Sequence, residues 1–110
     1  QFYLGLLLYH SGIPPDKILF VVDAIRPDTY RGEPIEKYEN SYFGVMRKEL
    51  ITQAKNRNYN VIDLYPVFLE DYLINQIRFE SDIDAHWNSH GHKAIFDAII
   101  KSDWYDMLNK

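Results

Sequence analysis

Seven residues, Lys17 to Asp23 (KILFVVD), constrain this chain more than any others. Side chains alternate between the two faces of a strand. An unbroken apolar run from Ile18 to Val22 therefore asks for burial on both faces, the situation of a parallel strand covered by helices. The run is far too short to cross a bilayer, which takes about 18 apolar residues, and no other stretch reaches that length. Tyr59 to Tyr65 (YNVIDLY), ended by Pro66, reads as a second short strand. Between them, Ser41 to Arg57 places Phe43, Met46, Leu50, Ile51 and Ala54 on one helical stripe, with Arg47, Lys48 and Glu49 turned outward. Ser41 or Asn40 is a suitable cap. Strand, helix and strand in that order make a right-handed βαβ unit. The expected fold class is α/β, a short parallel sheet with flanking helices.

The remaining segments fit around that unit. Phe2 to His10 reads as the end of a helix, with Leu4, Leu7 and Leu8 on one face and Gly12 as its stop. Arg26 to Asn40 carries Pro27, Gly32 and Pro34 without a clear period and reads as a long loop. Val67 to Phe79 is amphipathic, a short helix plus connector. Gly91 to Lys101 is a last helix with Ala94, Ile95, Ala98 and Ile99 inward, followed by a tail bearing Trp104 and Tyr105. The 110 residues suit a single domain. Two parallel strands alone make a poor sheet, however, and the first residue is Gln rather than Met. The chain therefore reads as the C-terminal part of a larger doubly wound domain. An uncovered edge on the Lys17–Asp23 strand is a template for pairing, so either a homo-oligomer through that edge or a marginally stable chain is expected.

Composition excludes several classes of function. Twelve Lys and Arg against sixteen Asp and Glu give a net charge of −4, and the pI is about 5.5. No basic footprint exists for nucleic-acid phosphates. The absence of Cys removes disulfides, thiolate metal sites and cysteine nucleophiles, and leaves the compartment open.

The densest polar constellation runs from Asp82 to His92 (DIDAHWNSHGH), just before the last helix. An Asp two residues from a His can accept the Nδ1 proton and leave Nε2 free as a general base, which singles out Asp84 and His86. Asp82 is a second candidate partner. Asn88 or Ser89 can cap the helix that follows. A plain structural reading of the same residues also stands, since an Asp–His bond orders a loop and Asp before a helix is stabilising. His90 and His92 read as structural or exposed. Asp82, Asp84, His86, His90 and His92 also offer metal ligands, but Asn88-Ser89 starts a helix between His86 and His90, and no metal or other cofactor is assigned. Arg26 and Arg31 follow the C-terminal end of a strand, where substrate loops lie in α/β folds, and could bind an anionic or sugar substrate.

Asp84-Ala85-His86-Trp87-Asn88 followed by Gly91-His92 resembles the C-terminal catalytic block of the SGNH/GDSL hydrolase superfamily, which often reads D-x-H-W-N-x-x-G-H and leads into an apolar helix. The upstream strand, long helix and YNVIDLYP strand are similar in order. The resemblance implies a flavodoxin-like sheet lacking its N-terminal part. It implies His86 as the base that activates a serine, Asp84 as its orienting partner and Trp87 beside the substrate. The implied substrate is an ester or O-acylated carbohydrate, and the HWN variant is similar to the branch that transfers acetyl groups to polysaccharides. The family's G-D-S segment and its oxyanion blocks have no counterpart here. None of Ser11, Ser41, Ser81, Ser89 and Ser102 lies in a strand-to-helix turn. The isolated chain is accordingly expected to be inactive. A non-catalytic binding module and an Asp/His metal-binding domain are the competing readings.

Overall fold

The computed structural model describes residues 11–32 and 35–109. The helix expected over residues 2–10 lies outside them. After a 3-10 turn at Pro15–Lys17, strand β1 (Leu19–Val22) leads to helices α1 (Arg26–Arg31), α2 (Ile35–Glu39) and α3 (Tyr42–Asn56). Strand β2 (Asn60–Asp63) follows, then α4 (Leu64–Asn75), α5 (Ser89–Ile100) and α6 (Asp103–Leu108). The strands pair in parallel, Leu19 with Asn60 through Val22 with Asp63. The protein is thus mixed α/β around a short two-stranded parallel sheet.

Strand alternation separates two apolar clusters. Phe20 and Val61 pack with Ile18 against buried Ala54 and Tyr59, and the Phe20 and Tyr59 rings meet edge to face with centroids 5.1 Å apart. Val21 and Ile62 face the larger cluster of Ala24, Tyr38, Leu64, Tyr65, Phe68, Phe79, Ala94 and Ile95. Its centre is a stack of Phe68 on Phe79 at 4.0 Å. Leu64, Phe68 and Phe79 are fully enclosed. No helix among the described residues is long and apolar enough to cross a membrane.

Several expectations need correction. Every residue of both strands is half-buried rather than buried, because among the described residues each strand has a single neighbour. Arg26 to Asn40 is largely helical. Pro27 sits in the first turn of α1, where its fixed φ suits the start of a helix, and Gly32, at φ 65°, ends it in the left-handed conformation. What read as two breakers is a start and a stop. The tail after Lys101 is helix α6, capped by the Ser102 hydroxyl.

Helix α3 begins where expected, with the Ser41 Oγ accepting the Gly44 N–H at 3.0 Å, but it is rotated. Phe43, Met46 and Leu50 are exposed, and the inward face carries Gly44, Arg47, Ile51 and Ala54. Arg47 was expected outside. Its Nε donates to the Asp23 carbonyl at 2.8 Å, its Nη2 donates to the Asp63 carboxylate, and its guanidinium lies over the Tyr38 ring, 5.6 Å from the centroid. Gly44 permits this orientation, since a Cβ there would collide with the Tyr38 carbonyl oxygen.

Two substitutions check this arrangement by urea denaturation. Arg47→Met strips the partners from the ends of both strands and should destabilise by about 2 kcal/mol, the scale of lost charge-assisted hydrogen bonds in a half-buried setting. Gly44→Ala should also lower the midpoint, although alanine in a helix is intrinsically better by about 1 kcal/mol. An unchanged or raised midpoint for Gly44→Ala would contradict the close approach of α2 and α3.

Candidate active site

The segment between α4 and α5 is tied down by its own polar groups. The Asn88 side chain is the hub. Its Oδ1 caps α5 by accepting the Gly91 N–H at 2.8 Å, and its Nδ2 donates to the carbonyls of Arg78 at 2.9 Å and Glu80 at 3.0 Å. Main-chain bonds from Asn88 to Phe79 and from Ser81 to His86, both 2.8 Å, close the loop on itself. Gly91 packs directly on this hairpin, where a Cβ would lie 2.6 Å from the Phe79 carbonyl oxygen. That contact explains the glycine in the Gly91-His92 pair, which the sequence alone left without a role.

Within the loop, Asp84 holds His86 twice. One carboxylate oxygen accepts the His86 main-chain N–H at 2.9 Å, and the other lies 3.0 Å from Nδ1. The imidazole is otherwise open, with its side chain 89% exposed. The two bonds, that of the main-chain N–H first and that of the imidazole second, hold the Asp84 carboxyl below its usual value of 3.8. Asp82 is not part of this pairing. The Trp87 and His92 rings stand perpendicular, centroids 5.8 Å apart, and the Trp87 backbone bridges Glu80. His90 belongs to a different contact, a hydrogen bond between its Nε2 and the Asp71 carboxylate at 2.6 Å that joins α5 to α4. Among the described residues, no three potential metal-ligating side chains converge.

Beside Asp84 lies a cleft of about 570 Å³ whose lining includes Arg26, Tyr30, Arg31, Arg78, Glu80 and Asp84. The arginines proposed from sequence, Arg26 and Arg31, thus share a wall with Asp84, while Trp87 does not line it. Arg26 is held between Asp23 at 3.4 Å and Glu80 at 3.7 Å. Arg31 pairs with Asp28 at 3.2 Å at the outer rim. Tyr30 donates its hydroxyl proton to Glu80 and accepts the Phe79 N–H at 3.0 Å. Burial, and then the bond to Glu80, push this phenol up to about 12. Arg78 covers the Tyr30 ring at 4.7 Å and approaches Glu80 at 3.6 Å.

Sequence reasoning missed Tyr30, Arg78 and Glu80 as a unit. Tyr30 and Glu80 are 50 positions apart, so no local pattern connects them. Comparison with protein-family models, with curated proteins and with solved structures finds no match.

Because Asp84 titrates low in the folded chain, its bonds to His86 favour the folded loop above the ordinary carboxyl range. That contribution is lost as pH falls through the lowered value. Carbon-13 NMR of the Asp84 carboxyl should therefore give a midpoint below 3.8. His86→Ala keeps the main-chain N–H, the larger influence, so the midpoint should rise only part of the way. A wild-type midpoint at or above 3.8 would show the pair to be broken in solution. Asn88→Ala removes a helix cap and two loop bonds and should cost about 1–2 kcal/mol in a thermal or urea unfolding measurement.

Proposed function

We propose that this chain carries the histidine–aspartate half of an acyl-transfer site of the SGNH/GDSL type. The proposed reaction is cleavage of an ester, or movement of its acyl group to another oxygen, on an O-acylated carbohydrate. The supporting observation is the Asp84–His86 geometry, a carboxylate 3.0 Å from Nδ1 on a ring that is otherwise open. That is the arrangement a general base needs. Nδ1–H is fixed by the carboxylate, so Nε2 carries the free lone pair.

In this reading Nε2 takes the proton of a serine hydroxyl as Oγ bonds to the ester carbonyl carbon. The imidazolium, stabilised by Asp84, then returns that proton to the leaving alkoxide as the ester C–O bond breaks. Water or a sugar hydroxyl repeats the sequence on the acyl-serine. No serine among the described residues hydrogen-bonds to the His86 ring, whose polar partner is Asp84. In this reading the nucleophile and the oxyanion donors do not come from these 110 residues. The half-buried faces of β1 and β2 support further elements on the sheet, either from other sequence or from a second copy of the chain.

The test has two arms. The 110-residue chain should hydrolyse p-nitrophenyl acetate no faster than free imidazole does, and a fluorophosphonate should leave its serines unlabelled. Stoichiometric labelling of one serine would place the nucleophile here instead. In a longer protein that joins these residues to a nucleophile, His86→Ala should lower kcat for an acetyl ester by about 10²–10⁴-fold, the usual weight of a general base. Unchanged turnover in that variant rules the reading out.

A further inference from the structure

The cleft beside Asp84 holds an imbalance that the acyl-transfer reading does not use. A single carboxylate, Glu80, serves the Tyr30 hydroxyl and two guanidinium groups. It bonds properly only to Tyr30. Arg26 and Arg78 stand at 3.7 and 3.6 Å, beyond hydrogen-bond length. Arg26 is mostly buried, with its side chain 16% exposed, and its Nη1 makes no hydrogen bond at all. A buried guanidinium donor without an acceptor is costly, and a second oxyanion relieves that cost. Arg78 and Arg31, at 67% and 63% exposure, line the same space.

We propose that the cleft binds the oxyanion of an acidic saccharide, with Arg78 and Arg31 gripping it from the rim and Arg26 from the floor. The saccharide part rests on the acyl-transfer reading, whereas the oxyanion part rests on the arginine geometry alone. With a ligand oxyanion on Arg78, Glu80 is released from one of its two cations and closes on Arg26 while keeping Tyr30. The volume, about 570 Å³, falls within the 300–1,000 Å³ typical of small-molecule sites. Asp84, whose carboxylate holds His86, lines the cleft too, although His86 itself does not. Pro27 and Ala85 supply apolar surface for the sugar ring's carbon face.

Isothermal titration with glucuronate, glucose 6-phosphate and glucose, at constant ionic strength, tests this on the wild-type chain. Glucuronate or the phosphate should bind and glucose should not, and the stronger of the two shows which oxyanion the site prefers. Equal heats for glucose and glucuronate overturn the proposal, as does no binding by either anion. Arg78→Gln, a change at an exposed side chain, should weaken the anion by about 10- to 100-fold, the worth of a charge-assisted pair. Arg26→Gln should do likewise wherever circular dichroism shows it folded. Undiminished affinity in Arg78→Gln overturns the proposal whatever Arg26→Gln does. His86→Gln should leave anion binding unchanged. If neither anion binds the wild-type chain while His86→Ala abolishes ester turnover in the longer protein, this inference falls and the catalytic reading stands; anion binding with unchanged turnover in that variant does the opposite.

Discussion

Arg47 joins the carboxyl ends of the two parallel strands. Its Nε meets the Asp23 carbonyl just past β1, and its Nη2 meets the Asp63 carboxylate at the last residue of β2. Each strand is four residues long and half-buried, so the ladder alone is a weak fastener. Parallel pairs are already slightly less stable per residue than antiparallel ones. Both chain segments leave the sheet at these two aspartates. The Asp63 Oδ1 caps α4 by accepting the Tyr65 N–H at 2.9 Å, and the Asp23 Oδ1 accepts the Ala24 N–H at 2.8 Å. One cation thus sets the directions in which α1 and α4 depart. Lysine could not do the same. A compact ammonium lacks the planar fork that reaches a carbonyl and a carboxylate together while stacking on Tyr38.

The same charges carry on into the cleft. Asp23, whose main-chain carbonyl meets Arg47, pairs through its carboxylate with Arg26; Arg26 reaches Glu80, and Glu80 accepts a hydrogen bond from Tyr30 and faces Arg78. Opposite charges alternate along the path from the Asp23 carboxylate through Arg26 and Glu80 to Arg78. Each guanidinium along it lowers the cost of placing the next carboxylate in a partly desolvated setting. The aromatic stack beneath, Tyr30 against Tyr72 and Phe79, gives the path a rigid floor. Placement of the arginines near Asp84 is therefore a consequence of how the sheet ends are closed.

What was legible in the sequence was local. The two strands, the start of α3 at Ser41 and the start of α5 at Asn88 follow from runs and caps a few residues long. The Asp84–His86 pair is likewise a two-residue relation. What stayed hidden was either ambiguous or long-range. Pro27 and Gly32 serve equally as loop residues and as helix boundaries, and only their conformations decide. Arg47 was placed outside because charge usually is, and because Phe43, Met46 and Leu50 form the more apolar stripe. The close approach at Gly44 and two acidic strand ends override that preference. The Tyr30–Glu80 and Asp71–His90 contacts, separated by 50 and 19 positions, leave no periodic trace.

This difference in range divides the site into two parts that respond to different insults. The Asp84–His86 pair is held by a short turn on an exposed loop, so core substitutions distant from Asn88 reach it weakly, while acid dissolves it directly. The arginine wall is the opposite case. Arg26 and Tyr30 sit on a helix whose direction depends on the sheet ends, and their carboxylate comes from a distant segment. Arg47 therefore bears on both residues through α1 and touches nothing in the turn at Asp84. Orientation of the imidazole is thus local chemistry, whereas the placing of the arginine wall is a property of the whole fold.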